Sequence, residues 1–410
     1  MEQLTADFGG SGVTGIGVGP VLEKFDGVSR IAVLRGGGLG DLLFAIPAIA
    51  SLKAAYQGAT ITLLGTPVHE HLISATESPV DNVRVLPVSE GVRPGEEDPA
   101  ELDRFFAEMR AERFDLAVQL HGGGRYSNPF LLRLGARHTV GTRTSDAASL
   151  ERTVPYLYYQ HEPLRALEVA GFAGAPPTDL EARLLPRRRL AGEQHDVLSE
   201  LVQSDAQALV VIHPGATDPR RRWPADRFAE VAAGCAADGS QVLIVGDRSE
   251  RQLADDVAGR ALARSTNAPA AGRSSTPPGR TASGLIRSGL IRSVAGELDM
   301  AGLVALLARA DVMVGNDSGP RHLAQALGTP TVGVFWVGNV INAGALGRSL
   351  HRIHASWVTR CQSCGVDVTQ VGWTAPRCGH DQSLVAEVAA TAVYEDVRNL
   401  TATSPLLRGR

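Results

Sequence analysis

One pattern constrains this chain more than any other: short apolar runs that end in glycine-rich turns and open onto helices, and the pattern occurs twice. Arg30-Ile-Ala-Val-Leu-Arg35 reads as a buried strand running into Gly36-Gly-Gly-Leu-Gly-Asp41. Leu42–Tyr56 follows, with apolar residues at helical spacing and Pro47 in its early turns. Ile61–Gly65, Val83–Pro87 and Leu116–Leu120 read as further strands, and 101–112 as a helix. The alternation restarts after Pro186-Arg-Arg-Arg189 and a helix over Leu190–Val202. Leu209–Ile212, Val242–Val245, Asp311–Gly315 and Thr331–Phe335 are strands; Ala225–Ala237, Met300–Ala310 and a stretch ending at Leu327 are helices. Strands alternating with helices predict parallel sheets covered on both faces. Two such units predict a ligand cleft between them, at the carboxyl ends of the strands.

The 410 residues suffice for that arrangement. The expected division is a Gly-rich flexible arm over 1–27, one α/β domain over 28–188, a second over 189–383, and a terminal helix over 384–410 that packs back on the first domain. Residues 264–293 are rich in Ser, Thr, Pro, Gly and Arg and repeat Ser-Gly-Leu-Ile-Arg at 283 and 288. Such a stretch buries little and reads as a disordered insertion.

Composition excludes several classes. A net charge of −4 gives no basic field for nucleic acid. No run is long and apolar enough for a transmembrane helix, and the first residues lack the pattern of a secretory signal. Four cysteines are too few for a disulfide scaffold, so a reducing cytoplasm is expected. Among 40 basic residues only Lys24 and Lys53 are lysines. Any cationic site must therefore be built almost wholly from arginine, a planar fork that hardly ever loses its proton.

Three segments carry chemistry. In Arg35–Asp41 the glycines alternate, unlike a dinucleotide fingerprint, and no acid follows the next strand. Asp41 in the first turn of a helix can take a proton from a hydroxyl, or simply cap that helix. His213-Pro-Gly-Ala-Thr217 precedes Arg220-Arg-Arg-Trp-Pro224, three cations suited to a diphosphate. Gly315-Asn-Asp-Ser-Gly-Pro-Arg-His322 opens a helix whose start favours an anion, with Ser318 and His322 as added donors. Apart from these, Cys361-x2-Cys364, Cys378 and His380 have ligand types suited to a structural tetrahedral zinc; a disulfide or a plain thiol cluster is the alternative. They define a loop over 361–380.

Taken together, and over roughly residues 30–400, these segments resemble glycosyltransferase family 9, the heptosyltransferase-like enzymes. The resemblance implies a GT-B fold: two Rossmann-like doubly wound domains facing across a cleft. It implies an inverting, metal-independent transferase with no catalytic cofactor. The donor would be a nucleotide-diphosphate sugar such as ADP-heptose, and the acceptor a hydroxyl on a glycan, glycolipid or small molecule of the lipopolysaccharide or other cell-envelope kind. Asp41 matches the catalytic base, and Arg221 stands where the family usually has Lys. Thr217, Arg220, Arg222, Asp317, Ser318, Gly319 and His322 fall on the donor diphosphate side. Gly246 and Glu250 fall on the nucleoside, and Gly38, Gly40 and His121 on the acceptor side. Work in the cytoplasm follows, with peripheral contact at the inner membrane face. Trp336-Val-Gly-Asn-Val departs from the family pattern after the strand that ends at Phe335. A sugar-nucleotide epimerase and a non-catalytic nucleotide-sugar-binding protein are the alternative readings.

Overall fold

The computed structural model describes residues 17–187, 198–266, 289–371 and 374–408. In the first unit the elements run β1 (Arg30–Leu34), α1 (Leu39–Ala55), β2 (Thr60–Gly65), α2 (Pro67–Ala75), β3 (Thr76–Glu77), β4 (Asn82–Val85) and α3 (Pro99–Ala111). They continue through β5 (Leu116–Gln119), α4 (Ser127–Leu132), β6 (His138–Arg143), β7 (Arg152–Pro155), α5 (Glu162–Phe172) and β8 (Leu185–Pro186). The second unit runs β9 (Leu209–His213), α6 (Ala225–Ala237), β10 (Gln241–Ile244), α7 (Arg251–Thr266), β11 (Ile291–Ser293) and α8 (Met300–Arg309). It ends with β12 (Val312–Asn316), α9 (Gly319–Ala326), β13 (Thr331–Trp336), α10 (Val337–Ala343), β14 (His351–Ser356) and α11 (Ala390–Arg408).

Both sheets have six strands, all parallel, in the orders β4-β2-β1-β5-β6-β7 and β11-β10-β9-β12-β13-β14. These are one topology used twice. The order reverses between β1 and β5, and again between β9 and β12. At such reversals the flanking connections leave toward opposite faces and open a crevice at the strands' carboxyl ends. The central strands are uniformly buried, as a two-faced sheet requires.

The apolar interior is shared between the units. One continuous cluster includes Leu42, Ile46, Ile49 and Leu72 of the first with Val304, Leu307, Met313 and Leu323 of the second. Helices α1 and α9 pack together, as do α2 and α8. Residues 176–187 run along this seam, where Leu184 N–H donates to Ala326 O at 2.9 Å and β8 pairs antiparallel with β3.

The terminal helix packs differently from expectation, and two other expected segments are described only in part. Among the described residues, helix α11 packs on α6 of the second unit. Its Val393, Val397 and Leu400 complete the apolar face of Phe228, Val231 and Ala232. Tyr394 Oη–H donates to Asp238 Oδ2 at 2.7 Å. The amphipathic stripe of α11 is thus consumed within the second unit. In the described part of the expected flexible arm, residues 17–27, Phe25 is buried and Leu22 N–H donates to Gly171 O at 2.9 Å. The 264–293 segment is structured at both ends, because Arg251–Thr266 is helical and Ile291–Ser293 is an edge strand of the second sheet. Residues 1–16, 188–197 and 267–288 lie outside the described residues, so the expected helix over 190–202 is seen only at its end.

Candidate active site between the two sheets

A cleft of about 570 Å3 opens between the two units. Its walls come from the turns after β1, β9, β10 and β12, the crevice positions that the strand order dictates.

On the first unit's side, β1 ends at Arg35 and turns into α1. Gly37 has φ +90°, and a Cβ there would lie 2.5 Å from the Asp41 carboxylate. Only glycine fits this turn. Asp41 Oδ2 accepts from Gly38 N–H at 2.8 Å, so it does cap its helix. It does more than cap. The Arg35 guanidinium donates from Nη2 to Asp41 Oδ1 at 2.9 Å and from Nε to Asp41 O at 2.8 Å. Arg35 also reaches Leu120 O and lies 3.5 Å from Glu162 Oε2. The Arg35 side chain is 7% exposed while that of Asp41 is 47% exposed. The guanidinium is thus the buried anchor and the carboxylate the group presented to the cleft. Glu162, at the start of α5, lines the cleft and pairs with Arg165.

On the second unit's side, His213 Nε2–H donates to Glu250 Oε2 at 3.0 Å, and its Nδ1 lies 2.9 Å from Ser318 Oγ. Burial works to raise the Glu250 carboxyl, but the bond and charge of His213 outweigh it and hold it below its ordinary value. Gly215 lies so close under Glu250 that any side chain there would displace the carboxylate. Asp317 is buried between α9 and the arginine loop. It accepts from Arg221 Nη1 at 3.0 Å, Asn339 Nδ2 at 2.7 Å and His322 Nε2 at 2.7 Å. Burial would raise this carboxyl; the bond from His322 and the charges of Arg221 and Arg321 hold it far below the carboxylate range. Burial and then the Arg321 charge push His322 down to about 4. His322 is therefore neutral near pH 7, with Nδ1 accepting from Arg321 at 2.6 Å and Nε2–H facing Asp317. Asn316 ties the two turns together, accepting from Trp223 N–H at 3.0 Å and donating to Pro214 O at 2.8 Å.

The two sides meet. A Cβ on Gly40 would stand 3.5 Å from His322 and 3.9 Å from Gly319, and one on Gly319 would stand 2.9 Å from Leu39 Cβ. The base candidate is therefore one residue from direct contact with the turn that starts α9.

Most of the site residues expected from the sequence converge on this cleft. Gly38, Gly40, Asp41, Thr217, Arg221, Gly246, Glu250, Asp317, Ser318, Gly319 and His322 all line it. Three do not. Arg220 folds onto Asp218, with Nη2 2.6 Å from Oδ2. Arg222 Nε donates to Ala216 O at 2.8 Å. In a short 3-10 turn over Pro219–Arg221, successive side chains point apart, so three adjacent arginines cannot all face one ligand. His121 packs against Gly36 with its Nε2 3.0 Å from Gly91 O, behind the turn. Asp317 enters the site differently from expectation: as an anion it orients Arg221 and cannot itself receive a diphosphate. The sequence reading missed Arg35, Glu162, Asn339 and Asn342. Arg35 and Asn339 sit where strands give way to helices, and the rule that sites gather at strand carboxyl ends singles them out.

Cys361, Cys364, Cys378 and His380 converge outside the cleft, beyond the carboxyl end of β14. Their ligand atoms lie within 4.8 Å of one another. Cys361 N–H donates to Val366 O and Gly365 N–H to Cys361 O, both at 2.9 Å. Gly365 has φ +73°, which lets the turn fold back beneath the two thiols.

The model of glycosyltransferase family 9 (heptosyltransferase) matches residues 102–369. This chain belongs to glycosyltransferase family 9. It is a glycosyltransferase, and both six-stranded units are the two halves of its GT-B fold. Lipopolysaccharide heptosyltransferase 2 of Salmonella typhimurium is 25% identical over 317 residues, 75% of this chain and 82% of that protein. The structure of E. coli ADP-heptose lipopolysaccharide heptosyltransferase II superposes with a TM-score of 0.66 at 19% identity, over 92% of this chain and 99% of that one. The dodecameric iron-containing heptosyltransferase TibC, in complex with ADP-D-beta-D-heptose, gives a TM-score of 0.50 at 14% identity, over 93% of this chain and 78% of that one. Among the described residues of this family-9 chain, no helix is long and apolar enough to cross a membrane.

Proposed function

We propose that this glycosyltransferase moves a heptose from an ADP-heptose-type donor to a hydroxyl of a cell-envelope glycan, in one displacement that inverts the anomeric carbon. The observation that carries the reading is the meeting of Asp41 with the Arg221–Asp317–α9 turn across one cleft. Asp41, held by Arg35 and open to the cleft, takes the proton of the acceptor hydroxyl as it attacks. The donor's diphosphate lies on the opposite side, toward Arg221, Thr217, Ser318 and the amide start of α9. Charge grows on the leaving oxygens, and donors already fixed in place favour the transition state over the ground state. Asp317 keeps Arg221 aimed without competing for the ligand. Glu250, fixed by His213, is placed for a ribose hydroxyl, and Val294, Leu298, Met300 and Leu303 offer an apolar wall for the base. No metal takes part at the reacting carbon in this scheme. The names of the relatives support heptose as the sugar and a lipopolysaccharide core as the acceptor class. Where that acceptor is lipid-linked, the chain works peripherally at the inner membrane face.

The test supplies ADP-heptose, or another nucleotide sugar, with and without an acceptor extract, and follows nucleoside diphosphate. Release that requires the acceptor and favours ADP-heptose is expected. An isomerised donor would mean an epimerase, and tight binding with no turnover a carrier.

The cluster of Cys361, Cys364, Cys378 and His380 is proposed to hold a structural zinc ion. Three thiols and one imidazole within one small sphere are a tetrahedral donor set, and the described residues of the loop add only a small apolar group around Val368 and Leu384. Such a donor set also accepts iron, the metal named for TibC. The ion would cross-link the loop and would supply no chemistry to the transfer. Elemental analysis of purified protein is expected to give one zinc per chain; a protein that contains no zinc and no iron would overturn the assignment.

A further inference from the structure

The Cys/His segment touches both units beside the active cleft, and none of its described residues lines that cleft. Near its middle, the hydroxyl of Tyr158 donates to Val371 O at 3.3 Å and that of Tyr159 donates to Thr369 O. Both tyrosines belong to the first unit, in the stretch leading to Glu162. Just beyond the segment, Leu384 N–H donates to Arg220 O at 2.7 Å and Ser383 Oγ–H to Arg222 O at 2.6 Å. These two bonds grip the backbone on either side of Arg221. Arg377 lies 3.6 Å from Asp218, the residue that also holds Arg220. Arg221 is the one arginine of its loop that lines the cleft.

Among the described residues, the segment's buried apolar contacts form one small group around Cys361, Val368 and Leu384. The four candidate ligands bracket it, Cys361 and Cys364 at the start and Cys378 and His380 at the end. Linking the ends of a loop removes the chain freedom that would otherwise oppose one fixed path. We propose that a metal ion held by Cys361, Cys364, Cys378 and His380 acts as a rivet for the active site: it fixes the path from residue 361 to 384, and so fixes both the Arg221 loop and the seam with Tyr158 and Tyr159. Donor binding then depends on metal occupancy although the metal never meets the donor. This rests on the metal reading above, and the two fail separately.

The experiment compares metal-loaded full-length protein, chelator-stripped protein and stripped protein given back Zn2+. Metal content is measured by elemental analysis, ADP affinity by calorimetry, and amide exchange by mass spectrometry. Stripping is expected to weaken ADP binding at least tenfold. Exchange should quicken at 218–223 and 156–161 as well as 361–380, and Zn2+ should reverse both effects. Unchanged ADP affinity, or faster exchange limited to 361–380, overturns the rivet while leaving the metal site standing. Protein that neither carries nor takes up zinc or iron overturns the site itself. A double variant, Arg377→Ala with Ser383→Ala, answers the case in which stripping unfolds the chain. It should keep one metal per chain and still lose ADP affinity severalfold; full affinity in that loaded variant also overturns the proposal.

Discussion

At the residue scale, the site is organised by arginines that are anchored before any ligand arrives. Arg35 is buried against Asp41, Leu120 and Glu162, and Arg221 is aimed by Asp317. Asp317 also faces buried Arg321 and His322, so its removal strands a cation in the interior. Breaking a buried pair in this way costs about 3–5 kcal/mol. Asp317→Ala is therefore expected to lower unfolding free energy by that order in denaturant titration, besides weakening ADP. Two histidines give a pH signature. Burial, then the Arg321 charge, pushes both His322 and His351 down to about 4. Their ordinary value is near 6.5, so on acidification the unfolded chain takes up these protons first. Stability is full above about pH 6.5 and is lost as pH falls toward 4, by about 1.4 kcal/mol per pH unit for each proton. Urea melts at pH 7, 6 and 5 should show the slope, and His351→Gln should flatten it.

At the element scale, the starts of α1 and α9 meet with almost no room. Gly319→Ala places a methyl 2.9 Å from Leu39 Cβ, a backbone-proximal atom that cannot swing aside. The two helices must separate by a few tenths of an ångström. Donor KM is expected to rise severalfold while the melting temperature moves little; an unchanged KM would mean the seam gives freely. The buried Trp223 anchors the arginine loop through Nε1–H to Val388 O at 3.0 Å and packs edge-on to Phe228. Trp223→Ala should cost about 3–5 kcal/mol in a denaturant melt. Element legibility follows the same physics. The strands β1, β5, β9, β12 and β13 were readable because both their faces are buried, which leaves unbroken apolar runs. Edge strands such as Arg152–Pro155, and helix α7 with its scattered Arg, Asp and Ala, bury too little to leave a pattern. The site residues on strand-end turns were legible as motifs. Which of Arg220, Arg221 and Arg222 faces the cleft was not, because a single 3-10 turn decides it. Helix α11 showed its apolar stripe in sequence, but a stripe does not say which partner covers it.

At the scale of the whole molecule, the two sheets repeat one topology and share one apolar cluster across their seam. A core that spans both units predicts unfolding in one cooperative transition, with calorimetric and van't Hoff enthalpies in agreement. ADP at a hundredfold its Kd should stabilise the protein by about 2.7 kcal/mol. Two separate transitions would show that the seam does not couple the units. The repeated topology also explains why so much of the cleft was foreseeable: each strand-order reversal contributes one wall, and the chemistry sits on the turns that leave it. The central claim is that Asp41 serves as the base toward a donor held by the other wall. The most direct measurement follows ADP release from ADP-heptose with acceptor present, for wild type and Asp41→Asn, with ADP affinity measured on both. For Asp41→Asn the rate is expected to fall by about 10²–10⁴-fold with ADP affinity and melting temperature retained. An Asp41→Asn protein that transfers sugar at the wild-type rate would contradict it.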